Sequence, residues 1–329
     1  MSFKKTMKSI IGSGLKFLFA FFLIIWMMHN KMLDLSSLAI LANPTYLMVS
    51  ITLVFLTIFI NNIRWTLLLR TKGCPLASNQ TLPLSLMGIF FNFALPGGVG
   101  GDVVKGFYVW KVGFGGKTTA ATTLLMDRLM GLYGMVVVSS GVILIKSPPA
   151  HPELKLIFMA VIGLFLTMSL FFAMAFSKSL KNNRFVILLF NRIPFGPILN
   201  NIYDSIHGFR KHPMVLTKTL LLSFLSQFLI IFFVLFFAGI THAPQVPLSV
   251  YLLIVPLGLI TTVLPVTPAG IGVGQAALYY FYKLSTGMDN QIGPNALTAF
   301  QIILLGWGLI GAYFYVTKKS QSPFSRGTP

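Results

Sequence analysis

Two Pro/Gly-rich breaks interrupt an otherwise strongly apolar chain. The first, residues 95–102, reads LPGGVGGD, and the second, residues 264–275, reads LPVTPAGIGVGQ. Pro and Gly both disfavour helix interiors, so each break ends one helix before another begins. At membrane depth, such backbone is tolerated only where it is buried in protein or lines a cavity. Interrupted segments at corresponding places in two halves of a chain indicate the binding site of a transporter.

The composition predicts an all-α polytopic membrane protein. Hydrophobic residues make up 55% of the 329 residues and charged residues only 9%, against about 25% charged in soluble domains. The net charge of +19 indicates contact with anionic lipid headgroups, and no soluble module stands apart that would bind nucleic acid. The single cysteine, Cys74, excludes an internal disulfide, and the histidines show no metal-ligand spacing. We therefore predict no metal and no cofactor.

Six apolar segments are close to the roughly 20 residues that cross a bilayer core. They are predicted at 12–28, 45–63, 118–145, 154–176, 218–240 and 296–316. The first follows a basic start and has no small-residue cleavage site directly after it, so we predict a retained helix. Two further stretches, 82–112 and 248–283, contain the breaks. Each is predicted to be a re-entrant hairpin or a pair of short helices.

The distribution of positive charge predicts the topology. With the N-terminus in the cytosol and each broken stretch returning to its own side, 20 Lys and Arg residues face the cytosol and four face outward. The basic loop 178–217 is then cytosolic, as the positive-inside rule requires. Each half makes three net crossings, so the halves 12–145 and 154–316 are predicted to be inverted repeats within one membrane domain, 1–316. The tail 317–329 and both termini are predicted to be cytosolic.

Asp127 and Arg128 form the sharpest charge signal, because they lie about 14 Å into a predicted span. Ionisable residues are rare and costly at that depth. Adjacent helical residues point about 100° apart, so the two are expected to have different partners. In one interpretation Arg128 contacts a lipid phosphate and Asp127 holds a basic or polar partner, such as a backbone N–H at a break. In the other, they make a structural interhelical ion pair.

The breaks and a span end carry further polar residues. Asp102 and Lys105 are predicted in a half-helix from 102 to 111, with Asp102 either functional or a simple N-cap. Lys105 is expected either to pair a lipid phosphate or to anchor at the cytosolic interface. Thr267 and Pro268 resemble an N-cap followed by proline at the first helical position. Arg64, at the end of the 45–63 span, is predicted to be interfacial.

Three motifs in order resemble the lysylphosphatidylglycerol synthase transmembrane (flippase-like) family over about 10–316. They are Asn92-x-x-Leu-Pro-Gly-Gly-x-Gly-Gly-Asp102, Asp127-Arg-Leu-x-Gly-Leu132 and Leu264-Pro-x-x-Pro-x-Gly-Ile-Gly272. Members often carry Glu shortly after the second glycine run, where this chain has Gln275. The soluble aminoacyl-transferase domain of two-part members is absent, so lipid lysylation by this chain alone is not expected.

The resemblance implies translocation of an anionic or phosphate-bearing lipid across the bacterial inner membrane. The expected cargo is a phosphatidylglycerol derivative or a polyprenyl-phosphate-linked headgroup. Candidate substrate-binding residues are Asn92, Gly97, Gly98, Gly100, Gly101, Asp102, Lys105, Asp127, Arg128, Pro268, Gly270, Gly272 and Gln275. Two alternatives stay open: a membrane subunit that works with a lipid-modifying enzyme, and an integral-membrane transferase that uses a lipid-phosphate donor. No catalytic grouping of side chains is evident, which favours a protein that is not an enzyme.

Overall fold

The structure is a computed structural model that describes residues 2–95, 99–111, 113, 116–145, 152–177, 196–244 and 246–319. Within these ranges the chain is helical and has no strand. The α-helices are α1 (Ser2–His29), α2 (Pro44–Thr71), α3 (Ser78–Ala94), α4 (Gly100–Lys111), α5 (Gly116–Ile145), α6 (Pro152–Phe176), α7 (Gly196–Gly208), α8 (Pro213–Ile240), α9 (Leu248–Thr262), α10 (Val273–Thr286) and α11 (Ile292–Lys319). Short 3-10 helices are Leu35–Ala42, Phe209–Lys211 and Pro268–Gly270.

Five helices are long and apolar enough to cross a membrane, namely α2, α5, α6, α8 and α11. They correspond to five of the six predicted spans. The sixth predicted span, 12–28, lies within α1, whose described apolar part is Leu15–His29. Both broken stretches are pairs of short helices, α3–α4 and α9–α10. The chain is therefore a multi-pass helical membrane protein with two helical hairpins.

The first hairpin packs closely because glycines lie where its helices meet. A Cβ on Gly101 would overlap the Gly88 carbonyl oxygen, and one on Gly311 of α11 would overlap the Leu86 backbone. Gly88 itself lies against the Lys105 side chain. Small residues let membrane helices approach to backbone contact, where dispersion and hydrogen bonds replace the hydrophobic effect. Helix α3 is thereby packed closely between α4 and α11.

Polar contacts join this hairpin to α2. The Asn62 side chain donates to the Ser78 carbonyl at 2.9 Å and accepts from Ser85 Oγ at 2.9 Å. The hydroxyls of Thr66 and Thr81 lie 2.7 Å apart. These side chains are buried or nearly so, and a buried polar group without a partner is costly, so the bonds fix the register of α3 on α2.

The second hairpin packs through Gly258, which faces Leu278 of α10. At its tip, Gly270 lies against Thr262. Its φ of +71° is one that residues with a side chain rarely adopt. A buried apolar cluster joins α9 and α10 to α2, α8 and α11, and includes Phe233 and Phe300 with ring centroids 5.4 Å apart. The second hairpin is thus packed against three of the long helices.

Candidate functional site

An ion pair between α2 and α5 lies at the centre of the bundle. Arg64 Nε is 2.7 Å from Asp127 Oδ1, and Arg64 Nη1 donates to Ser223 Oγ of α8 at 3.0 Å. The two side chains are only 9% and 14% exposed. Gly131 leaves room for the guanidinium, since a Cβ there would lie 3.2 Å from Arg64 Nη1. The sequence predicts Arg64 at the end of a span ending at 63, but α2 continues to Thr71, and Arg64 is buried between helices.

A second ion pair joins α4 to α5. Arg128 Nε donates to the Asp102 carboxylate, with side chains 35% and 21% exposed. Asp102 lies in the first turn of α4, where the helix dipole also favours a negative charge. Asp127 and Arg128 thus have different partners, as their adjacent positions predict. Asp127 holds a basic side chain rather than a backbone N–H at a break, and Asp102 makes an interhelical ion pair.

Lys105 lies one turn beyond Asp102. Its Nζ is 4.7 Å from the centroid of the Trp65 ring, a cation–π contact, and it makes no ion pair with any residue that the structure describes. It lines the same cavity as Arg64 and Asp127. The local cluster therefore holds three cations and two carboxylates, a formal net charge of +1 within the helical bundle.

Two cavities meet at this cluster. One, the central cavity, has a volume of about 290 Å³ and lies between the hairpin tips. Its lining includes Asn92 from the first hairpin, Asp127 and Arg128 from α5, and Thr262 and Ala269 from the second. The other, about 260 Å³, contains Lys105, Asn61 and Ser85. Arg64 and Asp127 line both, so the buried ion pair forms part of the wall between them.

The tip of the first hairpin is closed by an amide. Asn92 Oδ1 accepts a hydrogen bond from the Gly101 backbone N–H at 2.9 Å. A Cβ on Gly100 would lie 2.6 Å from the Phe91 carbonyl oxygen, so the start of α4 has no space for a side chain there. The predicted site residues Gly97 and Gly98 lie outside the described residues.

The tip of the second hairpin is closed by a network of neutral amides. Gln275 Oε1 accepts from the Gly272 N–H at 2.8 Å, and Gln275 Nε2 donates to Gln301 Oε1 of α11 at 2.8 Å. Gln301 Nε2 in turn donates to the Ala269 carbonyl at 3.2 Å. The polar atoms of Gln275 are therefore directed at its own turn and at α11.

Thr267 is an N-cap position followed by Pro268 at the first helical position, as predicted, but the helix that starts there is only a short 3-10 turn. Pro268 is buried and begins only the single 3-10 turn Pro268–Gly270. Positive φ values at Gly270 and Gly272, +71° and +83°, end that turn, and α10 begins at Val273. The Thr267 hydroxyl makes no capping bond and is buried without a partner.

The structure thus brings together part of the predicted site. Asn92, Asp127 and Arg128 line the central cavity, and Asp102 and Lys105 join them through an ion pair and the neighbouring cavity. The glycines Gly100, Gly101, Gly270 and Gly272, with Pro268 and Gln275, shape the tips. Arg64, Trp65 and Ser223 were not in the predicted set. The apolar run that continues after Arg64 to Leu69 is the signal that places Arg64 inside a longer helix.

In the part of the chain that the structure describes, no group of three or more His, Cys, Asp or Glu side chains could hold a metal ion. The chemistry available at the cluster is that of guanidinium, ammonium, carboxylate and amide groups. Guanidinium groups match the geometry of phosphate oxygens, and ammonium groups bind phosphate as point charges. The site can hold and partly neutralise an anionic group.

These features define a multi-pass helical membrane protein in which two interrupted hairpins face one charged cavity. The chain belongs to the family whose model is described as the lysylphosphatidylglycerol synthase TM region, which matches residues 14–311. This confirms the resemblance of the three motifs. No curated protein and no solved structure is significantly similar to the chain. The family supports a membrane function related to lipids.

Proposed function

We propose that this protein translocates the headgroup of an anionic, phosphate-bearing lipid across the bacterial inner membrane. The headgroup enters the central cavity between the hairpin tips, and the tails stay in the surrounding lipid. The observation that carries the proposal is the cluster of Arg64, Lys105 and Arg128 against Asp102 and Asp127. Its formal charge of +1 matches the single negative charge of a phosphodiester.

Burial of the cluster explains why it would favour a charged headgroup. An uncompensated charge inside the membrane is costly, so an entering anion that neutralises it is stabilised. Arg128 is the most exposed member of the two ion pairs and lines the central cavity. We assign it the first contact with the phosphate, with Asp102 holding the guanidinium in position.

The same proposal includes the inverted-repeat topology. The α3–α4 hairpin enters from the cytosol and the α9–α10 hairpin from outside, so that repeats 12–145 and 154–316 each supply one tip and α1 is the sixth crossing. Support comes from the central cavity, which both tips line. A tag inserted within 178–195 should be protected from membrane-impermeant reagents added to intact cells. Labelling of that tag from outside would contradict the topology.

The function is tested by reconstitution in liposomes. The probes are fluorescent phosphatidylglycerol, lysyl-phosphatidylglycerol and a polyprenyl-phosphate-linked sugar, with bleaching of the outer-leaflet label as the readout. We expect faster exchange of at least one of these lipids than in protein-free liposomes. No exchange of any of them by folded protein would overturn the proposal and favour a subunit that works with a lipid-modifying enzyme.

The variant Arg128→Lys keeps the charge and removes the planar fork. We expect about a 10-fold loss of transport rate or more, which corresponds to one charge-assisted hydrogen bond. The matched control is Arg70→Lys, at the exposed end of α2, which should leave the rate unchanged. Full transport by Arg128→Lys at normal expression would exclude bidentate phosphate binding by this residue.

A further inference from the structure

A groove of about 640 Å³ lies between α4 and α5, more than twice the volume of the central cavity. Its lining is almost wholly apolar and includes Val103, Phe107, Ala121 and Leu125. Gly106 also lines the groove, and a Cβ there would lie 3.2 Å from Leu124 Cδ1, so α4 and α5 pack closely at this point. The groove therefore offers hydrophobic surface along its length and few hydrogen-bonding groups.

Among the described residues that line this groove, the charged ones lie at its two ends. At one end the Lys117 Nζ lies 4.6 Å from the centroid of the Trp110 ring. At the other end is the Asp102–Arg128 pair, and Arg128 also lines the central cavity. The groove thus leads from a lysine and a tryptophan to the charged cluster.

The length of the groove fits one lipid tail. Lys117 and Arg128 are 11 residues apart on α5, which is about 16 Å at 1.5 Å per residue. Half of the roughly 30 Å hydrocarbon core, which one leaflet's tails fill, is about 15 Å. Tryptophan is enriched at the membrane interface, which places Trp110 and Lys117 at headgroup level and Arg128 near the bilayer centre.

We propose that the α4–α5 groove is the site at which the substrate lipid first docks. One tail lies in the groove and the phosphate lies on Lys117, so the lipid waits beside the central cavity before its headgroup moves inward. The proposal rests on the proposed function and names the entry site for the same substrate. The complementarity is twofold: an apolar chain fits an apolar groove, and an anionic phosphate fits the ammonium at its mouth.

Photocrosslinking tests the tail contact without requiring transport. The probe is phosphatidylglycerol with a diazirine at the end of one acyl chain, in nanodiscs, and adducts are located by mass spectrometry. We expect adducts concentrated on the groove walls of α4 and α5. Adducts spread evenly over exposed apolar faces, such as those of α1 and α6, would overturn the proposal.

Ala121→Trp fills the groove from α5 and should lower the adduct yield about 10-fold or more. Leu144→Trp is the matched control, because Leu144 lies on the same helix, is 73% exposed and is outside the groove, and it should not change the yield. Thermal unfolding reports whether each variant folds, and Val103→Trp fills the groove from α4 if Ala121→Trp does not. An unchanged yield in a folded groove-filling variant would contradict the proposal.

The headgroup contact is tested with Lys117→Gln. We expect it to remove the preference for phosphatidylglycerol over phosphatidylcholine carrying the same diazirine, while Lys117→Arg retains it. An unchanged preference in Lys117→Gln would refute the role of Lys117. Labelling of the groove without lipid transport would support the docking site and contradict the proposed function. Lipid transport with adducts spread over the whole protein would support the proposed function and contradict the docking site.

Discussion

The α3–α4 and α9–α10 hairpins begin their second helix with the same kind of contact. In the first, Asn92 Oδ1 accepts from the Gly101 N–H at 2.9 Å, and in the second, Gln275 Oε1 accepts from the Gly272 N–H at 2.8 Å. In each case a side-chain amide satisfies a backbone donor that the helix start leaves without an intrahelical partner. In both hairpins an amide side chain therefore supports the start of the second helix.

The hairpins differ in how they are joined to the long helices. The first is joined to α5 by the charged pair of Asp102 and Arg128, whereas the second is joined to α11 by the neutral pair of Gln275 and Gln301. Charge at the cavity thus comes from the first hairpin and from α2 and α5. Two hairpins of similar architecture therefore contribute a charged wall and a neutral wall to the same cavity.

The largest effect is expected from removing the buried partner of Asp127. Arg64→Leu leaves a carboxylate that is 14% exposed without its cation, which costs about 3–5 kcal/mol of stability. The measurement is thermal unfolding in detergent. The double variant Arg64→Leu with Asp127→Leu should recover most of that stability and still fail to transport lipid. Equal stability of the single and double variants would show that the pair is not coupled.

Glycine substitutions compare the packing of the two hairpins. A Cβ at Gly101 meets the rigid Gly88 carbonyl, so Gly101→Ala should cost about 1–3 kcal/mol or more. A Cβ at Gly274 meets side-chain atoms, Thr262 Cγ2 at 2.6 Å and Leu297 Cδ2 at 2.8 Å, which can shift, so Gly274→Ala should cost less. Unfolding temperatures measure both. A larger loss of stability for Gly274→Ala would show that the second hairpin, not the first, is the more tightly packed.

The sequence predicts the hairpins well because their cause is local. Pro and Gly break helices wherever they occur, and α4, predicted over 102–111, spans Gly100–Lys111. The start of α10 is missed because an N-cap signal at Thr267 is followed by Gly270 and Gly272, whose positive φ values stop the helix after one turn. Two local signals compete there, and the conformational freedom of the glycines decides the outcome.

The ion-pair partners are not local, and the sequence identifies them only in part. Burial of Asp127 predicts a basic partner, but nothing in the pattern says that it comes from α2, 63 residues earlier. The sequence predicts Arg64 at a span end, because a charge usually marks one. A cation can stay inside when another helix supplies a carboxylate, and only tertiary packing reveals that pairing.

A smaller effect is expected from placing a carboxylate in the neutral hairpin. In Gln275→Glu the Gly272 bond can persist, but Gln301 must turn its amide to donate and loses its bond to the Ala269 carbonyl. The loss should be about 1–3 kcal/mol. Because the ionised form is buried, stability and transport should fall as pH rises and recover at low pH, where the protonated side chain resembles Gln.

Gln80→Glu is the matched control for that variant. Gln80 Oε1 accepts from the Ala77 N–H at 2.8 Å in the same kind of capping contact, but the side chain is exposed. Its replacement should leave stability and transport nearly independent of pH between 5 and 8, which are about the limits of maximal protein stability. Equal pH dependence of both variants would show that burial of Gln275 is not the cause.

The smallest effect is expected at the base of the second hairpin. Asp289 lies 2.8 Å from Lys283 Nζ and accepts from Tyr279 Oη at 2.7 Å, and these contacts hold the pKa of its carboxyl below the usual range. A lowered pKa in the folded state adds stability above the unfolded value, about 3.9, which is lost as pH falls through the folded value. Since the pair is exposed, Asp289→Asn should shift the unfolding temperature at pH 7 only slightly. In contrast, Asp102→Asn should weaken transport strongly at the same pH, because Asp102 positions Arg128 at the cavity. Similar transport rates of Asp102→Asn and Asp289→Asn would mean that charge at the tip of the first hairpin has no special role.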